Sequence, residues 1–282
     1  MEQMPRGAPV GVVFTDLDGT LLDHHSYQYD AALPALQELA RRGVPLVLCS
    51  SKTRAEMVEL QAELSINGPL IAENGGGVFA AEHSPWAGLL PQRHRGLPAR
   101  VFGTGYPALR EGLVALREEF GAGVQGFGDT DPAGVAAWTG LPAHQAELAW
   151  RREFDEPFLW ESEPAAVDVQ RARQLLAARG LQLARGGRFW HVLGDNDKGR
   201  AVSWLLERWM DVVGERPPSL ALGDSENDLP MLRAVDQGVL VERHDGTHLA
   251  PRPVGVKTVS GQGPVGWNRA VLEWLETLPD AG

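Results

Sequence analysis

The segment Val10–Thr20, with the sequence VGVVFTDLDGT, joins a run of strand-forming residues to two carboxylates one residue apart. Its apolar part predicts a strand buried on both faces, as in a parallel sheet covered by helices. Asp16 and Asp18 then lie where the strand ends, and open α/β sheets bind their ligands at the carboxyl ends of their strands.

Alternate residues of an extended chain point to the same side, so we expect the carboxylates of Asp16 and Asp18 to face one site. Two acids with no base beside them repel each other, and the pair therefore predicts a bound cation. An ordinary turn at the end of a strand also favours Asp and Gly, so the rest of the chain has to decide between a turn and a site.

The composition limits the possible partners. With 282 residues and 43% hydrophobic residues, the chain is long enough for one large domain or two of ordinary size. A net charge of −11 argues against nucleic acid and anionic membranes as partners. Cys49 is the only cysteine, Met1–Pro9 lacks a signal-peptide pattern, and no apolar run approaches the ~20 residues of a membrane span. We therefore expect a cytoplasmic protein with no membrane partner.

Strand and helix patterns alternate in both end regions of the chain. A helix is predicted from Asp30 to Gly43, a strand from Pro45 to Ser50, a helix from Arg54 to Leu64 and a strand from Leu70 to Ala72. Similar alternation resumes after Gly194. The pattern predicts an α/β fold with a right-handed, doubly wound parallel sheet of the Rossmann-like kind.

The middle of the chain breaks this pattern. Residues 82–96 resemble a linker, and a strand at 100–103 is predicted to begin a small, largely antiparallel α+β unit. Two further strands in this unit are expected on either side of Gly186-Gly187. We predict a core of residues 1–84 and 192–282, with residues 85–191 inserted as a mobile cap over the active site.

Candidate chemical groups lie at several strand ends or helix entries of the predicted core: Ser50, Lys198, Asp224 and Asp228. Each alone has an ordinary explanation, such as a helix cap or an acid at a helix start. Together with Asp16 and Asp18, in one sheet, they are unlikely to occur by chance.

This set fits phosphoryl transfer through a covalent aspartyl phosphate. Asp16 would attack phosphorus, and Asp18 would act as general acid and then general base. Ser50 and Lys198 would hold the phosphate oxygens. Oxygen ligands favour Mg²⁺ over zinc, with Asp16, Asp224 and a main-chain carbonyl among them. The predicted set of metal-binding residues is Asp16, Asp18, Asp224 and Asp228.

The constellation resembles the haloacid dehalogenase superfamily over essentially the whole chain. Asp16–Thr20 matches its first motif, Ser50 the second, Lys198 the third, and Gly223–Asp228 the fourth. The second aspartate of the first motif is typical of phosphatases and phosphomutases. The inserted unit resembles a type-IIB cap, and Glu73-Asn74-Gly75-Gly76 is typical of the sugar-phosphatase branch.

Several further motifs resemble the mannosyl-3-phosphoglycerate phosphatase family: residues 50–56, 151–158, 187–191 and 263–268. This resemblance implies release of phosphate from mannosyl-3-phosphoglycerate to give mannosylglycerate, a compatible solute. We expect a monomer or homodimer, between which the sequence does not decide. It also implies a set of substrate-binding residues: Ser51, Lys52, Thr53, Arg54, Asn74, Glu153, Glu156 and Arg188. Lys52, Arg54 and Arg188 would meet the anionic groups, and Glu153 and Glu156 would accept hydrogen bonds from sugar hydroxyls.

Other functions stay open. A related phosphatase would act on glucosyl-3-phosphoglycerate or a hexose phosphate. A phosphomutase would return the phosphate to its substrate, so that free phosphate would not accumulate. A catalytically silent binding protein would turn over no phosphate ester. The polar loop at 22–29 carries His24 and His25, which we expect to be solvated rather than metal-bound.

Overall fold

The computed structural model describes residues 10–186 and 188–279; Met1–Pro9 and Gly187, which entered the predictions above, lie outside the described residues. The strands of the described residues form a nine-stranded sheet and a four-stranded sheet. The strands are β1 (Val12–Thr15), β2 (Leu46–Cys49), β3 (Leu70–Ala72), β4 (Gly77–Phe79), β5 (Gln92–His94), β6 (Leu97–Val101), β7 (Val124–Gly126), β8 (Asp155–Trp160), β9 (Gln182–Arg185), β10 (Trp190–Leu193), β11 (Ser219–Gly223), β12 (Gln237–Glu242) and β13 (Val256–Gln262).

The helices of the described residues cover these two sheets. They are α1 (Leu33–Arg42), α2 (Arg54–Glu63), α3 (Tyr106–Phe120), α4 (Pro132–Thr139), α5 (Ala143–Trp150), α6 (Ala166–Ala177), α7 (Lys198–Val213), α8 (Leu229–Ala234) and α9 (Pro264–Leu275). None of them is both long and apolar enough to cross a membrane.

The large sheet has the strand order β13-β12-β11-β1-β2-β3-β4-β6-β5. Strands β13 to β3 in this order pair in parallel, and β4, β6 and β5 add an antiparallel edge. Successive residues of β1 point to opposite faces. Val13 packs in the core with Leu39 and Trp267, while Phe14 packs on the other face with Leu205 and Met231. The predicted parallel α/β fold is confirmed.

The small sheet is antiparallel, in the order β7-β8-β10-β9. Helices α3 and α6 cover it, and Leu113, Leu176, Phe158 and Val192 form the core between these helices and the sheet. The strand pair predicted around Gly186 is present as β9 and β10.

One predicted segment pairs differently. The strand expected at 100–103 as part of the insertion lies at Leu97–Val101, and Gln92–His94 is a strand rather than part of a linker. A tight turn at Arg95 and Gly96, both with positive φ, joins them into a hairpin that extends the large sheet. The prediction was wrong because polar, exposed residues on an edge strand resemble a loop in composition. The division into core and cap remains a prediction.

Candidate active site

The carboxyl ends of three neighbouring parallel strands form the floor of the site. Asp16 follows β1, Ser50 follows β2 and Asp224 follows β11, and these strands are adjacent in the order β11-β1-β2. The Asp16 N–H donates to the carbonyl of Leu222 at 2.9 Å, which locks the first motif to the fourth. The sheet topology therefore brings together residues more than 170 positions apart in the sequence.

Lys198 supplies a buried cation at the start of α7. Its side chain is 1% exposed, and its Nζ donates to Asp16 Oδ1 at 2.6 Å and to Asp228 Oδ1 at 2.7 Å. Burial by itself lowers the pKa of Lys198, but the two carboxylates outweigh it and raise that pKa above its ordinary value. The amine is therefore a permanent ammonium that links the first motif to the fourth.

Asp16, Asp224 and Asp228 form a compact acidic cluster, with one carboxylate oxygen of each within 4.8 Å of the others. Burial, followed by the charge of Asp228, raises the pKa of Asp16 to about 8 despite Lys198. Burial and Asp228 likewise raise the pKa of Asp224 to about 6. Lys198, together with Arg243 near the half-buried Asp224, does not balance the three acids, and a cation bound by their oxygens would.

Asp18 lies outside this acidic cluster, although it was predicted as a metal-binding residue. Its Oδ2 is 3.0 Å from Lys52 Nζ, while its buried Oδ1 has no hydrogen-bond partner among the described residues. Gly19 follows with φ of +81°, and a Cβ there would lie 3.0 Å from Asp224 Oδ2. The first motif thus turns sharply against the fourth and leaves one buried oxygen of Asp18 without a partner among the described residues.

The loop after β2 uses its hydroxyl groups to build local structure. Ser50 is buried, and its Oγ accepts from the Lys52 N–H at 3.2 Å. Thr53 caps α2 by accepting from the Glu56 N–H at 3.1 Å and donates its hydroxyl to the Leu148 carbonyl at 2.9 Å. The carbonyl of Ser51 accepts from Arg152 at 2.8 Å. This loop therefore attaches the end of β2 to the segment after α5.

Three predicted substrate-binding residues on or before the small sheet are bonded within the protein. Glu153 accepts from Arg54 at 2.7 Å and lies 2.7 Å from His94 Nε2. Glu156, fully buried, accepts from Arg110 at 2.6 Å. The exposed side chain of Arg188 donates to the carbonyls of residues 138 and 139, at the end of α4. Their roles toward a substrate remain predictions.

Glu73 and Arg152 lie within two of the sequence motifs, and the sequence predicts no role for either. Glu73 is fully buried with φ of +48°, and its carboxylate accepts the N–H groups of Glu153 and Phe154 at 2.8 to 3.1 Å. Burial raises the pKa of Glu73 to about 8, against the opposing effects of Arg152 and these N–H groups. The run of three glycines after Asn74 signals the unusual backbone, but nothing in the sequence signals the partners.

A cavity of about 780 Å³ lies beside this attachment, between α2 and the segment Leu148–Glu153. Five arginines line it: Arg54, Arg95, Arg110, Arg151 and Arg152. Trp150 and Tyr106 add aromatic surface. The cavity thus offers cationic and stacking groups next to the loop that carries Ser50.

The histidines of the polar loop meet a third histidine. The ring of His24 stacks on that of His244, with centroids 3.9 Å apart, and His25 packs edge-on against both. All three are exposed, in keeping with the expected solvated loop.

Two family models match the chain. Residues 13–86 match the haloacid dehalogenase-like hydrolase model, and residues 149–252 match the sucrose-6F-phosphate phosphohydrolase model. Among solved structures, a phosphatase of the haloalkanoate (HAD) superfamily from Bacteroides thetaiotaomicron superposes with a TM-score of 0.66 at 17% identity, covering 97% of this chain and 98% of that one. At such identity the superposition supports the fold alone.

Two curated relatives carry the same name, glucosyl-3-phosphoglycerate/mannosyl-3-phosphoglycerate phosphatase. The protein from Methanococcoides burtonii is 43% identical over 278 residues, which cover 94% of this chain and 97% of the relative. The protein from Persephonella marina is 35% identical, with 95% and 98% covered. The resemblance inferred from the motifs is confirmed. The chain belongs to the glucosyl-3-phosphoglycerate/mannosyl-3-phosphoglycerate phosphatase family of haloacid dehalogenase-like hydrolases, and is a phosphoric monoester hydrolase.

Proposed function

We propose that this phosphatase hydrolyses mannosyl-3-phosphoglycerate, glucosyl-3-phosphoglycerate or both to the glycosylglycerate and inorganic phosphate. The observation that carries the proposal is the contact of Asp16 with Lys198 inside the acidic cluster, in a chain whose relatives are named for both substrates. The mannosyl compound was expected from the sequence. A hexose phosphate is the nearest alternative substrate.

Asp16 is the proposed nucleophile. Its carboxylate oxygen bonds to phosphorus, the bond from phosphorus to the glycerate oxygen breaks, and the free Oδ1 of Asp18 is the proposed source of the proton for that oxygen. Asp18 then takes a proton from the water that hydrolyses the aspartyl phosphate and restores Asp16. Lys198 and Ser50 hold phosphate oxygens and match their developing charge.

Magnesium is the proposed cofactor. The donor set consists of carboxylate oxygens from Asp16, Asp224 and Asp228, which suits Mg²⁺ better than a metal that prefers nitrogen or sulfur. When bound, the ion would offset the repulsion between these carboxylates and a phosphate dianion. Lys52 holds the carboxylate of Asp18 beside this cluster, where it can reach the leaving group.

The arginine-lined cavity is the proposed site for the rest of the substrate. A glycosylglycerate carries a carboxylate and several hydroxyl groups, which guanidinium and aromatic side chains bind well. Arg152 is the most suitable anchor. Its Nη1 and Nε donate to the carbonyls of Ser51 and Ala149, and these bonds hold the guanidinium in place without a carboxylate partner. We propose that the small sheet with α3 to α6 is the cap, and that the protein is cytoplasmic and a monomer or homodimer.

Phosphate release with Mg²⁺ from both glycosyl-3-phosphoglycerates and from hexose 6-phosphates tests the proposal. We expect kcat/KM to be at least about tenfold higher for one or both glycosyl-3-phosphoglycerates, a difference of about 1.4 kcal/mol. Equal or better turnover of the hexose phosphates would contradict the proposed substrate. Conversion to an isomeric phosphate without free phosphate would show a mutase instead.

A further inference from the structure

The main chain of Asn74 is bonded to two of the segments that carry catalytic groups. The residue follows β3 directly and has a left-handed φ of +54°. Its N–H donates to the carbonyl of Ser50 at 3.0 Å, and its carbonyl accepts from Asn196 Nδ2 at 3.1 Å. Ser50 itself is one of the predicted catalytic residues, and Asn196 lies two residues before Lys198. The main chain of Asn74 is therefore bonded to the segment of Ser50 and to that of Lys198.

The side chain of Asn74 is 9% exposed and bonded at both ends. Its Nδ2 donates to Asp155 Oδ2 at 3.0 Å, in the first residue of β8 in the small sheet. Its Oδ1 accepts from Asn227 Nδ2 at 3.1 Å, in the turn of the fourth motif. A single amide therefore connects the small sheet to the catalytic edge of the large one.

The connection continues from Asn227 to the nucleophile. Ser225 Oγ lies 2.5 Å from Asn227 Oδ1, and the Ser225 N–H donates to Asp228 Oδ2 at 3.0 Å. Asp228 Oδ1 then accepts from Lys198, which also donates to Asp16. At the other end, Asp155 is bonded to His191 Nδ1 at 2.9 Å. An unbroken series of hydrogen bonds thus runs from β10 of the small sheet to Asp16.

We propose that Asn74 is a positioning residue, which holds Asp228 and through it Lys198 in register with the small sheet when that sheet is docked. The inference rests on the proposed function, since it concerns the same phosphoryl-transfer site. It replaces the role of substrate ligand expected for Asn74, because the protein itself occupies both ends of the amide.

The residue type suits this role for two physical reasons. Asparagine adopts the left-handed conformation more readily than other residues with a side chain, glycine being the only better choice. An amide also presents one donor and one acceptor side, as Asp155 and Asn227 require. Aspartate would fit the same space but could not donate to Asp155 and would repel it.

Two variants break the connection at different points. Asn74→Gly suits the backbone, keeps both main-chain bonds and removes only the amide. Asn227→Ala removes the hydrogen bond between the side chains of Asn227 and Asn74 by deleting its donor. The control is Gln61→Ala in α2, which deletes an amide that donates a structural hydrogen bond to the Gly68 carbonyl at 2.7 Å.

The readout is kcat per mole of folded enzyme for p-nitrophenyl phosphate with Mg²⁺. We expect Asn74→Gly and Asn227→Ala each to lower kcat by about 10- to 100-fold, as loss of a partner behind a catalytic group commonly does, with KM changed much less. The double variant should be no slower than the slower single variant. The control should keep the wild-type kcat, whatever its thermal stability.

Different results would overturn the inference. Unchanged kcat in both variants would show that neither amide positions the catalytic groups. Effects that multiply in the double variant would show that the two amides act separately. A raised KM confined to the glycosyl-3-phosphoglycerates would restore Asn74 as a substrate ligand. If the wild-type enzyme cleaves the small ester but neither glycosyl-3-phosphoglycerate, the proposed substrate is wrong. The kcat comparison for Asn74 would still hold, because it uses the small ester. If Asn74→Gly fails to fold, Asn227→Ala decides.

Discussion

The acidic cluster and the arginine-lined cavity both gather charged side chains at the contact of the two sheets, but their charges are balanced differently. In the cluster, Asp16, Asp224 and Asp228 share one ammonium, and the pKa of Asp16 rises to about 8. Beside the cavity, arginines form direct ion pairs: Arg54 pairs with Glu153, and Arg110 with Glu156. Unmatched buried charge costs free energy unless a ligand compensates it, so the cluster marks the chemistry more clearly than the cavity.

The largest expected effect tests the cluster. Asp16→Asn removes the nucleophile, so turnover of any phosphate ester should fall by about 10⁴-fold or more, as in other enzymes that lose a nucleophile. The fold should survive, because the change removes one of three mutually repelling acids. Phosphate release and thermal unfolding measure the two outcomes, with Asp30→Asn on the exposed surface as the control.

Retained turnover in Asp16→Asn would contradict the covalent mechanism. A large loss of thermal stability would instead show that Lys198 depends on Asp16 more than on Asp228 for its compensation. Either result would contradict the comparison drawn above, in which the acidic cluster carries uncompensated charge for catalysis and the ion pairs beside the cavity are structural.

The contrast also explains what the sequence could predict. Asp16, Ser50 and Asp224 follow buried strands, and the carboxyl ends of parallel strands meet at one edge, so the pattern alone places them together. The parallel sheet and the antiparallel insertion follow from the same strand and helix periods.

The rest depends on contacts between distant segments, which no local pattern encodes. The hydroxyl of Thr53 bonds to the carbonyl of Leu148, and its contact with a substrate stays a prediction. Asp18 lies 3.0 Å from Lys52 Nζ, and its place among the metal-binding residues stays a prediction. The edge hairpin at 92–101 resembled a linker because its exposed strand is polar. In each case the deciding partner lies on another segment of the chain.

Arg188 does not line the cavity, and its variant tests the substrate-binding role predicted for the small sheet. Its Nη1 donates to two carbonyls at the end of α4, and the other N–H groups of this exposed guanidinium have no hydrogen bond to the described residues and can bind an anion. We expect Arg188→Ala to raise KM for a glycosyl-3-phosphoglycerate by about 3- to 30-fold, since a charged hydrogen bond is worth roughly 1–2 kcal/mol. The KM for p-nitrophenyl phosphate should stay constant.

Steady-state kinetics with both esters measure this difference. Arg93→Ala is the matched control, an exposed arginine of the β5–β6 hairpin that pairs with Glu82. Equal changes in KM for the two esters would place Arg188 outside the specificity pocket.

The last expected effect is on stability and concerns Glu73, where the two sheets are joined. Burial raises its pKa from an ordinary 4.5 to about 8. Between these pH values the folded protein keeps a proton that the unfolded chain has released, so this group lowers the free energy of unfolding as pH rises. Glu73→Gln removes this pH-dependent contribution to the free energy of unfolding. We therefore expect the stability of the variant relative to wild type to increase from pH 5 to 8, by at most about 1.4 kcal/mol per pH unit.

Chemical denaturation at several pH values measures this slope, and Glu207→Gln on the exposed surface of α7 shows what the loss of a surface carboxyl does. A difference that does not vary with pH would mean that Glu73 is ionised in the folded protein. Arg152 and the N–H groups of Glu153 and Phe154 would then outweigh the cost of burial. In that case the contact between the sheets would contain a carboxylate whose charge the protein compensates. The acidic cluster would then differ from it more clearly, because its carboxylates are not compensated.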